Sequence, residues 1–467
     1  MSGALIDRSA AEIAAAVRSA AASASETAHA ALARIAERNP SLGAFTDVTA
    51  ERALAEAAAI DARRARGDAL GSLAGAPFAV KNLFDIAGLA TRAGSKILRN
   101  APPAAKDATL VARMEGADAV LVGALNMGEF AYDFTGENVH DGPSRNPHDP
   151  AHMSGGSSGG SATAAASGMA SITLGSDTNG SIRVPASLCG LFCLKPTYGR
   201  LSLAGTFPFA ASLDHLGPLA RSARDLALAY DAMIGPDGED AILANVAAEP
   251  VAPRLEKSVK SLRMAKLGGY FAQSGHPAAF EAVERIAKAL GVDNTVELRE
   301  AQRARAAAYL VTMVEGATLH LERLRLQGND YDPEVRDRLL AGAMLPGAWV
   351  AQAQKFRRWW RGEVLKIFED VDVLLAPATP CRAPPIGQKT LVFDGREMML
   401  RANLGLFTQP ISFIGLPVAA VPVWTAGERL PIGVQVIAAP WREDIVLRVA
   451  HVLEREGVVS APIARFA

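Results

Sequence analysis

Residues 153–183 read MSGGSSGGSATAAASGMASITLGSDTNGSIR. Met153–Ser161 packs four glycines and four serines into nine residues. Ala162–Met169 is a small, helix-friendly run, Ala170–Leu174 a short apolar strand, and Gly175–Ser181 a second serine-bearing turn. A flexible Gly/Ser linker stays polar and separates domains. This stretch instead runs into an apolar helix–strand pair, which predicts a buried, held backbone.

Outward from it, strand and helix signals alternate. Upstream, Gly75–Asn82 reads GAPFAVKN, a short buried strand with Lys81 at its end. Ala108–Glu115 reads as a helix and Ala119–Gly123 as a strand. Downstream, Leu191–Leu194 is a strand and Ser222–Gly235 a helix, and residues 261–294 form another strand–helix unit. Ala301–Gly328 and Tyr331–Glu369 are helical, the latter interrupted at Pro346-Gly347. Val371–Ala376, Leu416–Val423 and Pro431–Ala438 read as strands, and Asp444–Glu456 as the last helix. This alternation predicts an α/β fold: one large mixed, mostly parallel twisted sheet with helices on both faces.

The first 70 residues read as helices. Ser9-Ala-Ala-Glu12 and Ser23-Ala-Ser-Glu26 fit the capping box, in which serine and glutamate satisfy free backbone N–H groups. Asn39-Pro40 is expected to stop the second helix. A third runs from Ala50 to Arg66 and ends at Gly67. We therefore expect an N-terminal helical segment (1–70) packed on a main domain (71–467).

Composition excludes several classes. The net charge of −1 over 467 residues points to neither a nucleic-acid nor a membrane surface. The start, MSGALIDRSAAE, lacks the basic and apolar regions of a signal peptide. No uncharged apolar run reaches about 18 residues, so no membrane span is expected. Three cysteines are too few for a disulfide framework, which suggests the cytosol. His148 and His152 have helical metal-pair spacing, but Pro147 and Pro150 forbid the helix, so no metal is expected.

The serine stretch matches no phosphate loop, because no lysine follows Gly160, and no GxGxxG dinucleotide motif. Gly156–Gly160 does match GxSxG, but a nucleophile elbow must follow a buried strand, and residues 145–152 are polar and hold two prolines. The second turn is the better nucleophile site. It follows a strand, and its successive N–H groups can converge on an anion. Each such donor is worth about 3 kcal/mol in an acyl-transfer transition state. Ser181 then needs a base, with Ser157 as relay and Lys81 as acceptor. Taken locally, Lys81 reads more simply as a charge leaving a strand end for the surface than as a desolvated amine. Met127, Phe130, Tyr132 and Phe134 sit in a loop-rich passage, Asn126–Gly142, and read equally as core or as pocket wall.

GGSSGGS, DTNGSIRVPASLCG and LKPTYGRLS, with the upstream AVKNLFD, closely resemble the amidase signature enzymes, and the resemblance runs from about Gly75 to Val452. It implies the amidase signature fold and a Ser-cis-Ser-Lys triad. The matching positions are Lys81, Ser157 and Ser181, with a cis Gly156–Ser157 peptide. The oxyanion N–H groups fall on Thr178, Asn179, Gly180 and Ser181. The resemblance overrides the local reading of Lys81. Asn179 stands where glycine is common; asparagine tolerates positive φ, and the leaving-group side of the pocket is expected to differ. Asn82 stands where aspartate is usual.

Within the family, GENVHDGPSRNPHD and GTFPFAASLDHLGPLARS are most similar to the carboxybiuret hydrolase branch of cyanuric acid degradation, which acts on a small, urea-like carboxylate. The glutaminase component of a tRNA-dependent amidotransferase, a general small-amide amidase and an inactive scaffold are the alternatives. No metal or organic cofactor is implied. By analogy Met127, Phe130, Tyr132, Tyr331 and Arg338 contact substrate, with Ala402–Ser412 completing the wall. A small helical companion protein, or a homodimer, is the expected assembly.

Overall fold

The strands take their residues from the apolar runs. They are β1 (Phe45–Val48), β2 (Pro77–Lys81), β3 (Val120–Leu125), β4 (Ile172–Ser176), β5 (Phe192–Lys195), β6 (Leu216–Ala220), β7 (Met264–Leu267), β8 (Thr295–Val296), β9 (Val373–Pro377), β10 (Thr390–Phe393), β11 (Arg396–Met399), β12 (Val418–Val423) and β13 (Ile432–Ala438). The structure is a computed structural model that describes residues 5–247 and 249–465. The first four residues of the MSGALIDRSAAE start lie outside the described residues.

One 11-stranded sheet runs in the order β1-β3-β2-β4-β6-β5-β12-β13-β9-β7-β8, and β10–β11 form a separate hairpin. The sheet is mixed, as expected, but its balance differs from the expectation. β2 is parallel to β3 and β4, and β7 is parallel to β8 and β9. The other six neighbours, including the whole centre, are antiparallel. Helix–strand alternation does not report strand direction when a strand returns through a long loop. β6 does this, after the irregular residues 196–215.

Both faces of the sheet are covered. Val373 and Leu375 of β9 join one apolar core, and Leu374 and Ala376 join the other. That period of two is the mark of a strand buried on both sides. The first core is closed by α1 (Ala10–Arg18), α2 (Ala24–Leu42), α3 (Ala50–Ala65), α4 (Thr109–Gly116), α7 (Ala223–Met233), α8 (Pro277–Leu290) and α14 (Glu443–Arg455). The second is closed by α9 (Ala301–Gln327), α11 (Gly347–Ile367) and α13 (Gln409–Phe413). Short helices α5 (Gly159–Ala166) and α6 (Arg183–Cys189) follow the two serine turns, and α10 (Pro333–Ala343) and α12 (Leu400–Asn403) complete the set.

Both capping boxes form at α1 and α2. Pro40 does not stop α2, which continues to Leu42 and ends at left-handed Gly43. The stop comes from the Asn39 side chain, which holds both the N–H and the carbonyl of Phe45. The N-terminal segment is also more than helices. It contributes β1, whose four residues are too few and too polar to stand out in the sequence, and β1 pairs antiparallel with β3 at the sheet edge.

Candidate active site

β2 ends on Lys81, and the strand carries the side chain inward rather than to the surface. Lys81 is fully buried. Its Nζ donates to Ser157 Oγ at 2.7 Å, Ser176 Oγ at 2.9 Å and Ser158 Oγ at 3.0 Å. Hydroxyls are poor compensation for a buried charge. Burial therefore lowers the Lys81 pKa to about 7, while the Asp214, Asp177 and Asp133 charges oppose the shift only in part. Such an amine is half neutral near physiological pH and can accept a proton. Lys195 is equally buried, but its Nζ donates to the Pro196 carbonyl, away from any serine.

The first serine turn is held from all sides, as a linker would not be. The Gly156–Ser157 peptide is cis. Gly155 and Gly156 donate to the Thr135 and Phe134 carbonyls, and the Ser157 carbonyl accepts from Gly128. The N–H of Ser158 donates to the Ser181 carbonyl at 3.3 Å, which ties the two turns together. Gly175 permits that approach: a Cβ there would meet Ser158 Oγ at 2.8 Å.

The second turn leaves β4 at Ser176. Asp177 is its anchor. Its carboxylate accepts from Arg183 Nε at 2.9 Å and Nη2 at 3.0 Å, from Ser412 Oγ at 2.9 Å and from the Ile182 N–H at 3.3 Å. Burial alone would raise its pKa, but the Arg183 charge and hydrogen bonds hold it well below the usual carboxylate range. Arg183 reaches on to Gln435 Oε1 at 2.7 Å on β13. Thr178 Oγ1 donates to Asp214 at 2.6 Å, Asn179 Nδ2 to Thr312 Oγ1 at 2.8 Å, and Thr408 Oγ1 to the Asn179 carbonyl at 2.7 Å. The backbone N–H groups of Thr178, Asn179, Gly180 and Ser181 have no protein acceptor among the described residues. Free, successive N–H groups on a braced turn suit a developing oxyanion. The positive φ of the turn is at Gly180 (142°), not at Asn179, so asparagine needs no unusual backbone there.

A cleft with about 360 Å³ of empty space opens beside this turn and is lined by Thr178, Asn179 and Ser181. That space takes in solvent at the mouth, and the enclosed part is far smaller, so only a small substrate fits. Of the five expected wall residues, Tyr132 and Arg338 line it. Met127, Phe130 and Tyr331 do not. Phe130 and Tyr331 join a buried aromatic cluster with His320, their ring centroids 4.2–5.7 Å apart, and Met127 sits under Gly94. These three fill core because that side of the loop faces the apolar interior. Gln409 comes from the expected 402–412 region. Asp133, Phe209, Tyr309 and Thr312 also line the cleft, and sequence reasoning missed them. Asp133 lies in the passage Asn126–Gly142 and Phe209 in a stretch quoted above, but only folding brings them to the cleft beside Ser181.

Arg338 lies over the Tyr132 ring at 3.8 Å, and donates to the Tyr132 and Glu334 carbonyls. No carboxylate pairs with it among the described residues. Burial raises the Tyr132 pKa to about 12, so the phenol stays protonated. Asp133, the acidic residue of the cleft wall, is already committed: it accepts from the Gly136 and Thr135 N–H groups and from Thr135 Oγ1, and pairs with Arg401 at 3.0 Å. Asn82, in place of the usual aspartate, accepts from the Gly94 N–H and donates to Thr46 Oγ1, and so ties a loop to β1. His148 and His152 turn to the Cys189 carbonyl and to Asp149, and no three acidic, histidine or cysteine side chains converge on a metal site among the described residues. Cys189, Cys193 and Cys381 are buried free thiols, and no described helix is long and apolar enough to cross a membrane.

Comparison with known proteins identifies the family. A family model described as Amidase matches residues 26–447. AtzE, a component of the 1-carboxybiuret hydrolase of Pseudomonas sp. (strain ADP), is 52% identical over 429 residues, covering 92% of this chain and 94% of that protein. The A component of the glutamyl-tRNA(Gln) amidotransferase of Koribacter versatilis (strain Ellin345) is 37% identical over 451 residues, covering 90% and 92%. A solved structure of an s-triazine catabolic enzyme, described as an unexpected vestigial protein complex, superposes with a TM-score of 0.96 at 50% identity, covering 97% of this chain and 100% of that one. With a buried lysine bonded to the first serine turn, and that turn tied to a second whose free N–H groups border the cleft, this chain belongs to the amidase family and is a hydrolase of amide C–N bonds.

Proposed function

We propose that the enzyme releases ammonia from a small ureido carboxylate, 1-carboxybiuret or a close analogue, as a cytosolic step of s-triazine degradation. Neutral Lys81 takes a proton from Ser181 through Ser157. Ser181 Oγ attacks the terminal amide carbon, and the oxyanion is held by the N–H groups of Thr178–Ser181. The same relay returns the proton to the leaving nitrogen as the C–N bond breaks, giving ammonia and an acyl-enzyme. Water, deprotonated by the same route, then attacks the acyl carbon and frees Ser181.

The observation that carries the substrate class is Arg338. A guanidinium with no paired carboxylate, lining the same cleft as Ser181, suits a substrate that brings its own carboxylate. Glutamine would also bring an ammonium group. The acidic residue of the wall among the described residues, Asp133, already accepts from Thr135 and Gly136 and pairs with Arg401, so its charge is largely offset before an ammonium arrives. This favours the ureido carboxylate over the glutaminase reading. Tyr132 contacts the substrate beside Arg338.

Ammonia release across 1-carboxybiuret, biuret, neutral amides and glutamine is the test. Carboxybiuret should have the highest kcat/KM, and Arg338→Met should raise KM for it more than for biuret. Faster turnover of glutamine would overturn the reading. The exposed Leu321, Leu326, Met344, Trp349 and Trp359, spread along α9–α11, offer apolar contacts to a small helical companion protein. Light scattering of the chain expressed alone tests it: a monodisperse, fully active single-chain enzyme excludes an obligate companion.

A further inference from the structure

Asn179 has a second feature besides its backbone N–H. The residue is 7% exposed and lines the cleft that Ser181 and Arg338 share. One end of the amide is pinned: Nδ2 donates to Thr312 Oγ1 on α9 at 2.8 Å. The other end, Oδ1, is buried and has no hydrogen-bond partner. The main chain of the residue is fixed as well, through the Thr408 bond to its carbonyl. A buried amide oxygen without a partner is uncommon, and at the wall of a site it marks a place for a ligand donor. Nothing about the turn requires asparagine, because the residue with positive φ is Gly180.

We propose that Asn179 is a specificity residue: its Oδ1 accepts a hydrogen bond from the N–H that flanks the scissile carbonyl of a ureido substrate. The inference rests on the reading under Proposed function and deepens it. The backbone N–H of Asn179 faces the scissile oxygen in that mechanism. The side chain of the same residue therefore reaches the atoms bonded to the scissile carbon. In a urea one flanking atom is the leaving nitrogen and the other is a second N–H. In a carboxamide the second flanking atom is carbon, which donates nothing. An acceptor-only group held there by Thr312 selects the urea, because binding the carboxamide leaves Oδ1 buried and unpaired. Thr312 is a positioning residue in this scheme, and it acts only by aiming the amide.

The test uses the full-length enzyme and two substrates. One is 1-carboxybiuret; the other is its isostere with CH2 in place of the N–H beside the scissile carbonyl. The readout is the ratio of their kcat/KM values, since the change in that ratio between variants cancels the difference in intrinsic reactivity. Asn179→Ala should lower the ratio about tenfold or more, the usual effect of one buried hydrogen bond. Thr312→Val should lower it in the same direction, and Thr312→Ser should restore it. If Asn179→Ala does not fold, the Thr312 pair decides the matter alone. Equal losses on both substrates, or a ratio unmoved in Thr312→Val, overturns the inference while leaving the proposed function standing. A wild-type enzyme that turns over no ureido carboxylate overturns the proposed function, and the inference with it.

Discussion

Lys81 must be neutral to act as a base, so activity should fall as pH drops through its pKa. Burial against three hydroxyls lowers that pKa to about 7. With such a value the neutral fraction is about one-tenth at pH 6 and about nine-tenths at pH 8. The kcat/KM for ammonia release should then climb about tenfold between those two points and level off above them, since kcat/KM reports the free enzyme. A change to an opposing charge supplies a second perturbation. Asp214 is the largest of the charges that hold the Lys81 pKa up. Its carboxylate accepts from Thr178 Oγ1 and from the Phe209 and Ala210 N–H groups. Asp214→Asn keeps the shape and removes the charge, so the protonated amine loses support and the midpoint should move to lower pH. The assay is a kcat/KM profile from pH 5 to 9 for both proteins. A flat wild-type profile, or an Asp214→Asn midpoint above that of the wild type, would refute the assignment of Lys81 as the titrating base.

Ser181→Ala should lose turnover on the order of a million-fold, by the behaviour of serine nucleophiles elsewhere; a variant that kept a tenth of its activity would exclude the mechanism. Arg183→Ala should cost about 3–5 kcal/mol in urea unfolding, because it leaves the carboxylate of Asp177 buried and unpaired, and a loss below about 1 kcal/mol would show that the ion pair is dispensable. Gly180→Ala places a Cβ 2.1 Å from Thr408 Oγ1 at a φ of 142°. It should displace the free N–H groups and lower kcat by about a hundredfold or more while circular dichroism stays native; near-normal turnover would mean that the turn does not hold the oxyanion.

Much of this protein is written locally. A capping box needs only a serine and a glutamate three residues apart, so both N-terminal boxes are readable at Ser9 and Ser23. Apolar runs bounded by glycine and proline locate most strands to within two or three residues. The two serine turns and the lysine-ended strand stand out by spacing and by their likeness to a family. The exceptions are just as physical. Pro40 reads as a helix stop from its own chemistry, but Asn39 and Gly43 decide the end, through bonds to Phe45 and a left-handed turn. β1 has one buried apolar residue in four, and only its pairing with β3 makes it a strand.

What the sequence by itself determined is which groups are present and which short elements carry them. Only the tertiary structure decided what those groups can do. Lys81 and Lys195 are both buried lysines at strand ends, yet only Lys81 meets serines, and those come from 76, 77 and 95 residues away. Met127, Phe130 and Tyr132 lie in one loop, yet only Tyr132 faces the cleft, where Arg338 from a distant helix lies over its ring. The Asn179 amide is aimed by Thr312, 133 residues on. Local interactions set helix ends and strand identity because their partners are a few residues apart. Desolvation, charge and the direction of a side chain depend on everything within several ångströms, and most of that surrounding comes from chain that is remote in sequence.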